Sequence, residues 1–81
     1  MKADMTQATQ INYTKSNGDE RKMLVVPLSR VPDEVLRMGK KPIKRPESTP
    51  DGCAWFWELS EQGEYIPDAI KTLKLERITP A

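Results

Sequence analysis

The amino-acid sequence predicts one small domain built mainly from antiparallel β-strands. The chain has 81 residues, which is the length of a single domain. Two segments near its start alternate apolar and polar residues, and an Asn-Gly pair that favours a tight turn separates them. Prolines interrupt the middle of the chain and exclude a long helix there: Pro32, Pro42, Pro46 and Pro50.

The domain is expected to occupy residues 10–79, with a flexible tail before it. Residues 1–9 are polar and lack a periodic apolar pattern, so we expect them to fray. Residues 10–15 and 21–28 are predicted to form the two strands of a hairpin. If Asn17 and Gly18 form a two-residue turn, three pairs face each other: Lys15 with Glu20, Tyr13 with Lys22, and Ile11 with Leu24.

This pairing predicts which hairpin side chains share a face of the sheet. One face would carry Ile11, Tyr13, Leu24 and Val26. The opposite face would carry Met23 and Val25. Because both of these side chains are apolar, we expect the second face to be partly covered as well.

The segment after the hairpin is predicted to contain one short helix and one basic loop. Residues 32–39 begin with a proline and two acidic residues and end with a glycine, a pattern typical of a short helix. Its apolar side chains, Val35, Leu36 and Met38, would cover the sheet. Residues 40–46 carry four positive charges and no negative charge, which favours a mobile surface loop.

The last third of the chain contains a third strand and an ambiguous segment. Residues 54–59 alternate, with Trp55, Trp57 and Leu59 on one face and Phe56 on the other. A turn over residues 61–64 follows. The apolar residues after it fit both helical and strand spacing. We favour a short helical turn or loop up to Ala69 and a strand over residues 70–78, ended by Pro80.

Several absences point away from catalysis and from cofactor or metal binding. The chain has no histidine and a single cysteine, Cys53, so triads that need histidine, disulfides and structural metal cages are not expected. Its four glycines are scattered and form no phosphate-binding loop. The longest apolar run, residues 23–26, is too short for a membrane span or a signal sequence, so we expect a cytoplasmic protein.

Two features are candidate binding sites. The first is a run of five cations that would attract phosphates or an acidic protein surface, or would only keep the loop solvated: Arg37, Lys40, Lys41, Lys44 and Arg45. The second is Phe56, the lone aromatic residue on its face of the third strand and a candidate anchor for a partner. We expect Trp55 and Trp57 to be mostly buried, because a chain this short needs its large side chains in the core.

Two cations near the end of the chain complete the candidate set. Lys74 lies opposite Leu73 and Leu75 in the predicted last strand, so its side chain is expected to be exposed. Arg77 lies at the end of that strand, where we expect it to bond a carboxylate or a backbone carbonyl.

The order of several short motifs resembles the WYL domain. They are Ile11–Asn12–Tyr13, the Asn17–Gly18 turn, Arg21–Lys22, Pro27–Leu28, Trp55–Phe56–Trp57 in the place of Trp-Tyr-Leu, and the closing run Thr72–Ile78. The chain is still more similar to shorter WYL-like proteins encoded by tailed bacteriophages. The resemblance implies a small SH3/Sm-like antiparallel β-barrel with one short helix and a long basic loop. It also implies that Arg77 contributes to a ligand site.

The sequence and the resemblance together predict a non-catalytic binding module. The function we favour is that of a phage accessory protein that modulates a host protein by stoichiometric binding in the host cytoplasm. The alternative is a nucleic-acid-binding regulatory barrel. A net charge of +1 favours a protein partner, because dedicated nucleic-acid binders usually carry excess basic charge. No membrane partner is expected. The sequence does not decide between a monomer and a homo-oligomer.

Overall fold

The computed structural model describes residues 1–80 and confirms a mainly β fold. Its five strands form one antiparallel sheet with the order β4-β3-β2-β1-β5. The strands are β1 (Thr9–Thr14), β2 (Glu20–Pro27), β3 (Cys53–Leu59), β4 (Tyr65–Lys74) and β5 (Ile78–Pro80). This strand order is compatible with an SH3-like or Sm-like description.

The β1–β2 hairpin forms, but its predicted register is wrong by one residue. Ile11 lies opposite Met23 rather than Leu24. The cause is the turn, in which the Lys15 carbonyl accepts a hydrogen bond from Gly18 N–H and the Asp19 carbonyl accepts one from Lys15 N–H. Gly18, at φ 91°, supplies the left-handed residue of a three-residue loop. Because side chains alternate, this one extra residue exchanges the two faces of β2.

The two faces of the sheet carry two separate apolar clusters. On one face, Val26, Trp57 and Leu59 pack with the segment from Leu28 to Leu36 and with Tyr65 and Ala69. On the other face, the buried residues are Ile11, Met23, Val25 and Leu73. The predicted grouping of Ile11 with Leu24 and Val26 is therefore wrong, whereas the expectation that both faces are covered is confirmed.

The predicted short helix is present but is only one turn long. Helix α1 spans Asp33–Leu36 and buries Val35 and Leu36, as expected. It ends early because the chain reverses: Ile43 N–H donates to the Leu36 carbonyl at 2.8 Å. A 3-10 turn at Leu28–Arg30 precedes the helix. No helix within residues 1–80 is long and apolar enough to cross a membrane.

The prediction for the last segment is wrong at both of its ends. Strand β4 begins at Tyr65 rather than after Ala69, and an irregularity opposite Trp57–Leu59, with Asp68 at φ 58°, accommodates Pro67. The strand ends at Lys74, and a 3-10 turn over Leu75–Arg77 leads to β5. Pro80 lies within β5, where an edge strand tolerates a missing amide donor.

The connection from β4 to β5 requires a strongly curved sheet. These strands are the two edges, which a flat sheet would separate by about 19 Å. The four peptide steps from Lys74 to Ile78 span at most about 14 Å. The sheet therefore curves, but no hydrogen-bonded pairing of β4 with β5 closes it within residues 1–80, so the predicted barrel closure is not found.

The segment before β1 contacts the turn between β3 and β4. Lys2 forms an isolated antiparallel bridge with Glu64, Ala3 N–H donates to the Gly63 carbonyl and Tyr65 N–H donates to the Met1 carbonyl. These bonds give residues 1–3 a defined position. They do not measure mobility, so the flexible tail over residues 1–9 stays a prediction.

Candidate binding groove and basic loop

The five cations of the basic loop have different roles in the structure. Arg45 points inward, and its guanidinium donates to the carbonyls of Leu28 at 2.7 Å and Val31 at 2.8 Å and to the carboxylate of Asp33 at 2.9 Å. One arginine thereby ties the loop to the 3-10 turn and to the start of α1. We infer that Arg45 acts chiefly as a structural anchor of the loop.

The ion pair with Arg45 also changes the acidity of Asp33. The hydrogen bond from Arg45 and its positive charge hold the pKa of the Asp33 carboxyl below the ordinary value of 3.8. The carboxylate side chain is well exposed. The shift therefore reports the position of Arg45 and does not indicate a catalytic acid.

The remaining four cations point outward. Lys44 has an 89% exposed side chain and lies 4.0 Å from Glu47, a weak contact. The side chains of Arg37, Lys40 and Lys41 are exposed and have no hydrogen-bond or ion-pair partner within residues 1–80. These three cations are therefore available to an acidic partner.

One further hydrogen bond holds the loop against the sheet, although the sequence favoured a mobile loop. Lys40 N–H donates to the Asp68 carboxylate at 3.3 Å, and Gly39 lies so close to that carboxylate that any β-carbon at this position would overlap it. Asp68 has a left-handed backbone conformation and lies in the irregular part of β4. The contacts of Asp68 and Arg45 thus fix the position of the loop that carries the exposed lysines.

A groove of about 540 Å³ lies beside the loop, where β3 loses one of its neighbours. Pro27 and Phe56 form the last pair between β2 and β3, so within residues 1–80 residues 53–55 have β4 on one side and no strand on the other, and Cys53 N–H donates to the Pro50 carbonyl of the preceding turn. The walls are mainly apolar and include Pro27, Arg45, Pro46, Ala54, Trp55 and Phe56. The end of β2 at Pro27 thus opens a short strand edge next to aromatic side chains.

The aromatic residues of β3 differ in burial along the strand. Trp57 is completely buried, as expected, and its Nε1–H donates to the Ile66 carbonyl at 2.8 Å. Trp55 is only half-buried, and its Nε1–H donates to the carbonyl of Ser48, which follows the basic loop in the sequence. Phe56 is half-buried as well and packs at the margin of the second cluster. Trp55 and Phe56 are therefore the aromatic surface that a groove occupant would meet.

Lys74 and Arg77 lie together at a different cavity, which they share with Tyr13, Lys15 and Ser16. Lys74 is exposed, as the sequence predicted. Among residues 1–80, no carboxylate or carbonyl accepts a hydrogen bond from the Arg77 guanidinium, so the bond expected for Arg77 stays a prediction. Sequence reasoning missed Tyr13 and Lys15 because only the pairing of β1 with β5 brings them next to Arg77.

No metal centre is apparent in the part of the chain that the structure describes. Residues 1–80 contain no group of three or more histidine, cysteine, aspartate or glutamate side chains that could hold a metal ion. Cys53 is a single free cysteine at the start of β3. What the groove and the loop offer is apolar surface, a strand edge and positive charge.

Comparisons with known proteins found no match to this chain. No protein-family model matches it, and neither a curated protein nor a solved structure is detectably similar to it.

Proposed function

We propose that this protein is a non-catalytic binding module that holds an extended segment of another protein in the groove beside β3. The observation that carries the proposal is the strand edge at residues 53–55, which no neighbouring strand of residues 1–80 covers although Cys53 N–H already bonds the Pro50 carbonyl, and which the half-buried rings of Trp55 and Phe56 flank. An extended segment can bond such an edge through its backbone while alternate side chains enter apolar pockets. Aromatic residues are also the most frequent energetic anchors of protein interfaces.

The charge around the groove favours an acidic partner. Arg37, Lys40 and Lys41 are exposed and unpaired within residues 1–80, and the loop that carries them forms one side of the groove through Arg45 and Pro46. Cations at the rim of an interface mainly raise the association rate and select partners of opposite charge. The loop would therefore steer an acidic segment toward the apolar groove.

The resemblance to WYL-like phage proteins extends this proposal. A phage-encoded accessory protein of this kind would bind a host protein stoichiometrically in the host cytoplasm and so modulate it.

A second candidate function is nucleic-acid binding through the basic loop. The observation that favours it is the set of unpaired loop cations, each of which would release a condensed counterion on contact with a phosphate. The net charge of +1 and the apolar lining of the groove favour the protein partner.

The test is capture from bacterial lysate with the tagged protein, with and without nuclease, followed by mass spectrometry. We expect a stoichiometric protein that survives nuclease treatment. Loss of all specific material after nuclease treatment would instead support nucleic-acid binding.

Variants then locate the interface on the captured partner. We expect Phe56→Ala to weaken binding by about tenfold or more, as loss of an aromatic anchor does. The matched control is Leu75→Ala, which removes another exposed apolar side chain outside the groove. Thr49→Glu adds negative charge at an exposed groove residue, away from the core, and is also expected to weaken binding. Undiminished binding by both Phe56→Ala and Thr49→Glu would exclude the groove as the site.

A further inference from the structure

A second cavity, of about 410 Å³, lies where the β1–β2 hairpin meets the connection from β4 to β5. Its lining consists of three cations and two hydroxyl side chains: Tyr13, Lys15, Ser16, Lys74 and Arg77. Among the described residues 1–80, no carboxylate contributes to the lining. The cavity is separate from the groove beside β3, and its role is independent of the function proposed for that groove.

The fold assembles this cavity from three parts of the chain. Lys15 and Ser16 are held by the hairpin loop, in which Lys15 N–H donates to the Asp19 carbonyl at 2.7 Å. Lys74 is the last residue of β4. Arg77 immediately precedes Ile78, which pairs with Tyr13 in the β1–β5 ladder. Lys74 is thus placed by its strand, whereas Lys15 lies in the hairpin loop and Arg77 in the 3-10 turn, next to the β1–β5 pairing.

The three cations lack the partners that other cations of this protein have. Glu58 lies between Arg21, at 2.6 Å, and Lys71, at 3.7 Å, and is only 12% exposed. No carboxylate within residues 1–80 lies within 4.0 Å of the charged nitrogens of Lys15, Lys74 or Arg77. The nearest acidic residue of the hairpin, Asp19, instead accepts a hydrogen bond from the Asn17 amide.

Three like charges around one cavity repel each other, and a bound anion would remove that repulsion. An arginine fork and two ammonium groups together provide more donors than a single carboxylate accepts. Phosphate accepts many such bonds and carries up to two negative charges. The hydroxyls of Tyr13 and Ser16 add donors at the same cavity.

We propose that this cavity binds the phosphate monoester or diphosphate group of a small ligand. The cations surround a single cavity and do not form a stripe along the surface, which suits one compact anion better than a series of strand phosphates. Lys15, Lys74 and Arg77 would hold the phosphate oxygens, and Tyr13 would contact the organic part of the ligand.

The test is an NMR titration of the ¹⁵N-labelled full chain with pyrophosphate and, separately, with adenosine monophosphate, at constant ionic strength. We expect saturable shifts at residues 13–16 and 74–78. The double variant Lys74→Gln, Arg77→Gln is expected to weaken binding by about tenfold or more, because each lost bond to a charged group is worth at least that factor. Lys22→Gln is the matched control, because it removes one exposed cation outside the cavity and should leave the affinity unchanged.

Three outcomes would overturn the proposal. The first is equal affinity of wild type and the double variant, with thermal unfolding showing that both are folded. The second is a set of small, non-saturating shifts spread equally over all exposed lysines, which indicates ion screening only. The third is binding of a short oligothymidylate at least tenfold tighter than pyrophosphate through the same residues, which would make the site a nucleic-acid site.

Discussion

The two ends of strand β3 contain similar aromatic residues but have different surroundings. At the end near Leu59, Trp57 is completely buried, and neighbours on both sides pair with the strand. At the end near Cys53, strand β2 has already stopped at Pro27, and Trp55 and Phe56 are half-buried beside a groove. The comparison shows that the end of β2 at Pro27 leaves part of a neighbouring core strand with only one strand partner.

The two ends also differ in what stabilises them. The Trp57 end is held by apolar burial among residues of both β2 and β4. The Cys53 end adjoins a loop that polar contacts of Arg45 hold beside the groove, whereas the contact of this loop with Asp68 lies nearer the Leu59 end. We therefore expect mutations at the first end to affect global stability most. Mutations at the second end should change stability less and change the groove more.

The largest expected effect is that of Trp57→Ala. Loss of a completely buried indole, together with its hydrogen bond to the Ile66 carbonyl, should lower the free energy of unfolding by about 3–5 kcal/mol. Urea denaturation followed by circular dichroism measures it, and Trp57→Phe provides a milder variant if Trp57→Ala does not fold. Trp55→Ala is the internal comparison and should destabilise clearly less. Equal losses at the two positions would show that both ends of β3 contribute equally to stability.

The next largest effect on stability is expected for Arg45→Ala, which removes the anchor of the basic loop. This substitution leaves the carbonyls of Leu28 and Val31 without their donors and should lower the free energy of unfolding by about 1–3 kcal/mol. Lys44→Ala removes the neighbouring cation, which within residues 1–80 makes one ion-pair contact, a 4.0 Å approach to Glu47, and should change stability by about 0.5 kcal/mol or less. Equal effects of the two substitutions would contradict the anchoring role of Arg45.

Much of the fold could be predicted from local patterns, and the errors have physical causes. The alternation of apolar and polar residues identified the strands β1, β2 and β3, and the positions of proline and glycine identified the short helix. The hairpin register failed because a two-residue and a three-residue turn both suit Asn17–Gly18, and their difference exchanges the faces of β2. The break after Lys74 was missed because an exposed Leu75 resembles a continuing strand in the sequence.

The candidate sites were less predictable because they depend on contacts between distant segments. Arg45 and Lys44 are neighbours of equal charge, and no local pattern distinguishes the anchored residue from the exposed one. The cavity around Arg77 needs the β1–β5 pairing, which joins residues more than sixty positions apart in the sequence. The aromatic character of β3 was visible, but the groove depends on where β2 ends.

A smaller effect is expected at the second anchor of the loop, through Gly39→Ala. The added methyl group would overlap the Asp68 carboxylate, so either this side chain or the loop must shift, and we expect a loss of about 1–2 kcal/mol of stability. In the Asp68→Gly background, which removes the carboxylate and suits the left-handed backbone there, Gly39→Ala should be nearly neutral. Denaturation of the wild type, the two single variants and the double variant measures the interaction free energy between positions 39 and 68. Additive effects would show that Gly39 and Asp68 do not act on each other.

The smallest expected effect is a pH dependence that comes from Asp33 at the loop end. Because Arg45 holds the pKa of folded Asp33 below the ordinary value of 3.8, the pair stabilises the protein above that value and ceases to do so as the pH falls through the folded pKa. NMR titration of the Asp33 carboxyl should give a lowered pKa in the wild type and a higher one in Arg45→Gln, where, of Arg45 and Arg37, only the charge of Arg37 still lowers it. Asp33→Asn should make stability less sensitive to acid below pH about 4, where the carboxylate of the wild type is lost. An unchanged Asp33 pKa in Arg45→Gln would mean that this arginine does not hold the loop through α1.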